Sequence, residues 1–235
     1  MESLGKKRKP LAQGRRPRKL ATWETVKMYK LYARKGSGNA AVEALLAQLG
    51  VDHQVIEVGK TPDGSAPDWY LALNPRGEVP TLELPDHSIM TESAAMMIHL
   101  ADAHPEAGLA PPVGTAARAQ YLRWMVYFAT APYTSDLRMF YPERYSTDPA
   151  HADAIKAKAI LDLARDFDLF AAQMGDGPFI LGDKLSAADI YAAMILSWSD
   201  DEKALFAKHP KLKTLYQSVA IHPKVRAVWG RNGMG

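Results

Sequence analysis

Glu78-Val79-Pro80-Thr81, together with the Thr91-Glu92-Ser93-Ala94 that follows it, decides how this chain is read. The first piece is a turn running into a strand, with a proline where the strand should begin. A proline has no N–H to give a β-ladder, so this position suits a strand's first residue or a cis turn. The residue before it, Val79, then keeps its own N–H and C=O free for an extended partner from outside the protein. The second piece puts a carboxylate and a hydroxyl at the start of an apolar helical pattern, where free amides and the helix dipole attract an anion. One edge for a backbone and one helix end for a carboxylate describe a site for a short peptide.

Working outward, residues 28–33 (Met-Tyr-Lys-Leu-Tyr-Ala) alternate as a strand does. Gly36-Ser37-Gly38-Asn39 leads into a helical stripe of Val42, Leu45, Leu46 and Leu49 that Gly50 ends. A second strand is expected at 53–58, a short helix at 68–73, strands at 80–84 and 88–91, and a helix over 92–104. The first three elements form a βαβ unit with parallel strands. The whole order, βαβ-α-ββα, is the thioredoxin-like arrangement. Pro- and Gly-rich residues 106–114 read as a linker, so a thioredoxin-like domain is expected over 28–105 and an all-helical one over 115–235. In the latter, Tyr121, Trp124, Met125 and Phe128 share a face that Pro132 should kink or interrupt. Ile160, Leu163, Ala164, Phe167 and Met174 predict the stripe of the next helix. Further helices are expected around Ile190, around Leu212–Val219 and around Val225–Trp229.

Asn74-Pro75-Arg76-Gly77-Glu78-Val79-Pro80-Thr81-Leu82 and Thr91-Glu92-Ser93-Ala94-Ala95-Met96-Met97-Ile98 resemble the glutathione-site signatures of the soluble glutathione transferases. The element order over 28–235 resembles that family as well, and the loop before the first helix looks like a bacterial serine/asparagine type. The resemblance implies a transferase that activates glutathione, its co-substrate, as a thiolate for attack on small, largely apolar electrophiles. A related glutathione-dependent lyase, isomerase or reductase reaction starts from the same thiolate. It also implies a homodimer in the cytoplasm. Val79 would pair its main chain with the cysteinyl residue, in the manner of an added strand; Ser93 and nearby amides would hold the γ-glutamyl carboxylate, and Glu92 the amine. Arg76 or Trp69 would reach the glycyl carboxylate. The alternative is a non-catalytic interaction module on the same fold.

A free thiol titrates near 8.5, and lowering that by two units takes about 2.7 kcal/mol. One hydrogen bond to the developing charge supplies roughly 1.5–3 kcal/mol, so one well-placed donor suffices. The family uses a Tyr, Ser or Cys near the end of the first strand, and here the chain departs from it. The serine position falls on Gly36 and the cysteine position on Gly38, with Ser37 between them. Ser37 ranks first as the donor, Asn39 second and Tyr32 third, the last being as well suited to the core. For the electrophile, Tyr127, Tyr133, Arg138, Phe140 and Tyr141 offer aromatic and cationic surface. Ser186-x-x-Asp189 reads as a capping box and resembles the family's buried folding signature, a matter of stability.

Composition is that of a globular protein: 47% hydrophobic and 23% charged residues in 235. With no cysteine, disulfides, thiolate metal sites and a cysteine nucleophile are excluded, so any thiol must arrive with a ligand. The histidines show no metal-ligand spacing, and no metal is expected. No apolar run approaches the roughly 18 residues of a membrane helix. The net charge of +3 hides an asymmetry. Residues 1–27 carry nine basic and two acidic side chains, +7, which leaves 3 − 7 = −4 for the rest. That arm is expected to be disordered. Its basic clusters admit a nucleic-acid or nuclear-targeting patch, a plain solvated tail, or an over-long start, since Met28 opens the first strand directly.

Overall fold

The computed structural model describes residues 28–234, so every expectation for the arm 1–27 lies outside the described residues. The alternation at 28–33 becomes β1 (Tyr29–Ala33). Leu31 and Ala33 enter the main core, whereas Tyr32, on the opposite face, joins Val58 and Tyr70 in a smaller cluster. This is the period of two that a pleated strand imposes. α1 (Asn39–Leu49) follows and ends where Gly50, at φ 74°, turns left-handed and donates its amide to the last turn. β2 (His53–Glu57) pairs parallel with β1; β3 (Thr81–Glu83) and β4 (Ile89–Met90) pair antiparallel, giving the order β2-β1-β3-β4. With α2 (Asp68–Leu71) before β3 and α3 (Ser93–Ala103) after β4, the expected thioredoxin-like order is present.

The remainder is helical. Thr115 caps α4 (Ala116–Thr130) by accepting from the Arg118 amide. Pro132 does interrupt the pattern: α4 stops before Ala131, and the proline opens α5 (Pro132–Phe140), where its missing N–H costs nothing. α6 (Ala152–Gln173) corrects one expectation. Its inner face carries Ala159, Leu163, Phe167 and Phe170, while Ile160 and Ala164 face outward. The apolar count misled because two acids, Asp162 and Asp166, occupy inward positions, kept there by Lys158, Arg165 and Arg138. α7 (Ala187–Leu196) is buried along its whole length and packs on α1, α3, α4 and α9. α8 (Glu202–Lys208), capped by Asp201, is a helix that the sequence reading did not include. α9 (Pro210–Ala220) and α10 (Pro223–Asn232) complete the chain, and α10 returns to pack on α1.

Two polar devices fix this assembly. Arg118, at the start of α4, forks onto the Asp102 carboxylate at the end of α3, with bonds of 2.5 and 2.6 Å. At the start of α7 the Ser186–Asp189 box forms. The Asp189 carboxylate accepts the Ser186 amide at 2.7 Å, the Ser186 hydroxyl at 2.6 Å and the Ile180 amide at 2.7 Å. Complete burial pushes its pKa up to about 6 against the pull of those three bonds.

Candidate active site

The sheet register brings the two signatures together. Leu82 stands opposite Met90, so Thr81, Pro80 and Val79 leave the sheet at the same end as Thr91, Glu92 and Ser93. Tyr32 stands opposite Thr81, which sends the 34–38 loop and the start of α1 to that end too. Three segments, from β1–α1, from the β3 approach and from the α3 start, therefore meet at one edge of the sheet.

The signature's polar residues hold the segment before β3. Asn74 Nδ2 and the Tyr70 hydroxyl both donate to the Glu78 carbonyl, at 2.8 and 2.6 Å, and both contact Thr81 Oγ1. Gly77, at φ 66°, has Ala66 and Leu71 about where a side chain would be, the nearest atoms lying 3.0 and 3.1 Å from an added Cβ. The Val79–Pro80 bond is cis, and β3 starts at the next residue. Pinned on both sides, Val79 itself makes no main-chain hydrogen bond among the described residues.

The start of α3 is open. Glu92 occupies the N-cap at φ 66° with no capping bond from its side chain, a left-handed conformation that costs a non-glycine residue roughly 1–3 kcal/mol. The first amide to find a carbonyl is that of Met96, which donates to Glu92; those of Ser93, Ala94 and Ala95 have no partner among the described residues. Ser93 Oγ lies 2.9 Å from the hydroxyl of Tyr191 on α7. Burial raises the Tyr191 pKa, and the bond to Ser93 draws it part of the way back.

The donors proposed from the first loop are already engaged. Ser37 Oγ sits 2.8 Å from the Arg34 carbonyl and 2.5 Å from Asn39 Oδ1. Asn39 is buried; its Oδ1 also accepts the Arg34 amide, and its Nδ2 donates to Asn232 at the end of α10. Asn39 borders a cavity of about 280 Å³ lined also by Lys35, His53, Glu57 and Arg231, which shares no lining residue with the Val79–Ser93 edge. Tyr32 donates its hydroxyl to Glu83 at 3.0 Å. Hydrogen bonds from His87 and Lys30 bring that carboxyl down to about 2.

Of Tyr127, Tyr133 and Arg138, proposed for the electrophile, Tyr133 adjoins this edge. Its ring stacks on Tyr191, with centroids 6.2 Å apart, and meets Trp198 edge-on at 5.3 Å. Its hydroxyl sits against Gly38. Tyr127 turns into the helical bundle, donating to the Asp166 carbonyl on α6, and burial pushes its pKa up to about 12. Arg138 is tied to Asp162 and Ser135 and lines a separate cavity of about 540 Å³ beside Tyr145 and His151. Arg76 pairs with Glu78. Trp198 and Tyr191 were not singled out from sequence; both lie in the helical domain, and no local pattern announces that they face the first one. Among the described residues, no group of three or more His, Asp or Glu is placed to hold a metal ion, and no helix is long and apolar enough to cross a membrane.

Residues 41–103 match the family model for the glutathione S-transferase N-terminal domain, and residues 136–229 match that for the C-terminal domain. The uncharacterized GST-like protein YncG of Escherichia coli K12 is 28% identical over 207 residues, covering 87% of this chain and 98% of the relative. Glutathione S-transferase GstA of E. coli O157:H7 is 26% identical, covering 87% and 99%. Among solved structures, a glutathione transferase of Methylococcus capsulatus superposes with TM-score 0.74 at 30% identity, covering 88% and 99%. A glutathione transferase homologue from Sulfitobacter with bound glutathione gives TM-score 0.78 at 28% identity, covering 89% and 100%. The chain belongs to the soluble glutathione transferase family, and it is an enzyme of that type.

Proposed function

We propose that the protein binds glutathione at the sheet edge formed by Val79–Pro80 and Glu92–Ser93 and transfers it to small, largely apolar electrophiles. One observation carries the reading: among the described residues, Val79 keeps an unpaired N–H and C=O beside a helix start whose first three amides are also unpaired. Three adjacent open donors at a helix start and a free strand edge suit a ligand with a backbone and a carboxylate. Glutathione supplies both. Its cysteinyl residue pairs with Val79, its γ-glutamyl carboxylate takes the amides at Ser93–Ala95 with the Ser93 hydroxyl, and Glu92 faces its amine. The strained backbone of Glu92 fits this role, since strain persists where the surroundings use it.

The rings of Tyr133, Tyr191 and Trp198 form an apolar wall beside this edge, which favours apolar electrophiles. Rate enhancement then comes from the thiolate and from holding it beside its partner. A homodimer and a cytoplasmic location accord with the family and belong to the same proposal; light scattering tests the first. The central test is calorimetric titration with glutathione followed by conjugation to an activated aryl halide. Binding with turnover is the expected result. Binding without turnover leaves an interaction module, and no binding removes the reading.

A further inference from the structure

The first loop offers no free side-chain donor for the sulfur, yet its sequence departs from the family at the very residue that faces one. Gly38 immediately precedes α1 and is buried. A methyl group built on it would overlap the Tyr133 hydroxyl, and the Tyr133 ring carbons Cζ and Cε2 would lie only 3.2 and 3.3 Å away. The volume that a side chain at position 38 would fill is thus filled by a phenol oxygen brought from α5 of the other domain. Resting on the glutathione site proposed above, we infer that the Tyr133 hydroxyl is the catalytic donor that holds the glutathione sulfur as a thiolate, and that glycine stands at position 38 to admit it.

The surroundings suit a donor. Stacking on Tyr191 and the edge contact with Trp198 fix the ring, and Tyr191 is itself joined to Ser93, so the phenol and the carboxylate-binding helix start share one wall. Among the described residues, no hydrogen bond to another group occupies the Tyr133 hydroxyl. Burial raises its pKa, and Tyr191 on α7, Asp136 on its own helix, Glu78 from the β3 approach and Tyr141 beyond α5 act in the same direction. The phenol therefore keeps its proton throughout. The S–H bond breaks, the proton leaves to water, the electron pair stays on sulfur, and Tyr133 donates its O–H to that sulfur. The amides at the start of α1 add their partial positive charge.

The experiment titrates the glutathione thiol bound to wild type, Tyr133→Phe and Ser37→Ala, following thiolate ultraviolet absorbance against pH, with affinity measured by calorimetry. Tyr133→Phe removes one oxygen and should raise the thiol pKa by about one unit or more, at least tenfold less thiolate below both values. Measured below both thiol pKa values, the dissociation constant should stay within about twofold. Gly38→Ala, which displaces the hydroxyl, should shift the titration in the same direction. An unmoved pKa in Tyr133→Phe with normal glutathione binding overturns this inference alone. So does a shift in Ser37→Ala with none in Tyr133→Phe. Failure of wild type to bind glutathione overturns the proposed function as well.

Discussion

α3 and α7 begin in opposite ways, though in each the sequence puts a serine and an acid within one turn. At α7 the acid is satisfied internally: the Asp189 carboxylate takes two amides and a hydroxyl, and the Ala187 amide donates to the Leu109 carbonyl. At α3 the acid, Glu92, caps nothing and sits in a left-handed backbone, and three amides have no acceptor among the described residues. A closed helix start is a fastening, whereas an open and strained one is a socket. Local sequence scarcely separates the two. The difference lies in whether the fold supplies the anion or leaves it to be brought in.

Asp189→Ala attacks the closed end and should show the largest effect. It strips three bonds from a buried carboxylate and strands two buried amides, so chemical denaturation should record a loss of about 3–5 kcal/mol. A loss under about 1 kcal/mol would make this start as dispensable as a surface cap. Ser93→Ala attacks the open end. Glutathione affinity should fall by about 1–3 kcal/mol, while stability drops by no more than the single Tyr191 bond, about 1 kcal/mol. Equal affinity would return Ser93 to a purely structural role. Glu92→Gly sharpens the contrast because its two readouts move apart: stability holds or rises by up to about 1 kcal/mol as strain is relieved, while glutathione binding weakens. Losing stability instead would mark the conformation as a fastening.

The smallest effect concerns a third acid. Asp136 on α5 is buried with neither carboxyl oxygen hydrogen-bonded among the described residues, and burial, then Asp200, raises its pKa well above the ordinary value. The folded state thus holds this proton to higher pH than the unfolded state does, and stability declines as pH rises out of the ordinary carboxylate range. Asp136→Asn should be more stable than wild type at pH 7, with the margin closing near pH 4. Melting curves at the two values decide it; a margin that widens in acid gives the opposite sign.

The fold was legible because its cues are local. Alternation at 28–33, the i, i+3, i+4 stripe ended by Gly50, and Pro132 at a helix break each act within a few residues. The candidate site was legible where it, too, is local: Asn74 and Thr81 pin the segment around Val79 from within the same motif. What failed depends on distant partners. Asn39 looked like a free donor because its acceptor, Asn232, lies 193 positions away. Tyr133, Tyr127 and Arg138 looked equivalent on an aromatic stretch, and only tertiary packing separates them: Tyr133 lies against Gly38, whereas Tyr127 and Arg138 reach α6. The α6 stripe was misread because Asp162 and Asp166 are inward acids whose cations come from other positions.

The end of α10 has a consequence for how this molecule can be cut. Asn232 bonds Asn39, Glu43 and the Gly36 amide, and Arg231 adds a 2.6 Å ion pair to Glu43. The last turn of the chain is therefore a buckle on the first helix and its preceding loop. Severing the polypeptide at the linker would yield a front half with that loop unfastened, so the sequence boundary between the halves is no mechanical seam.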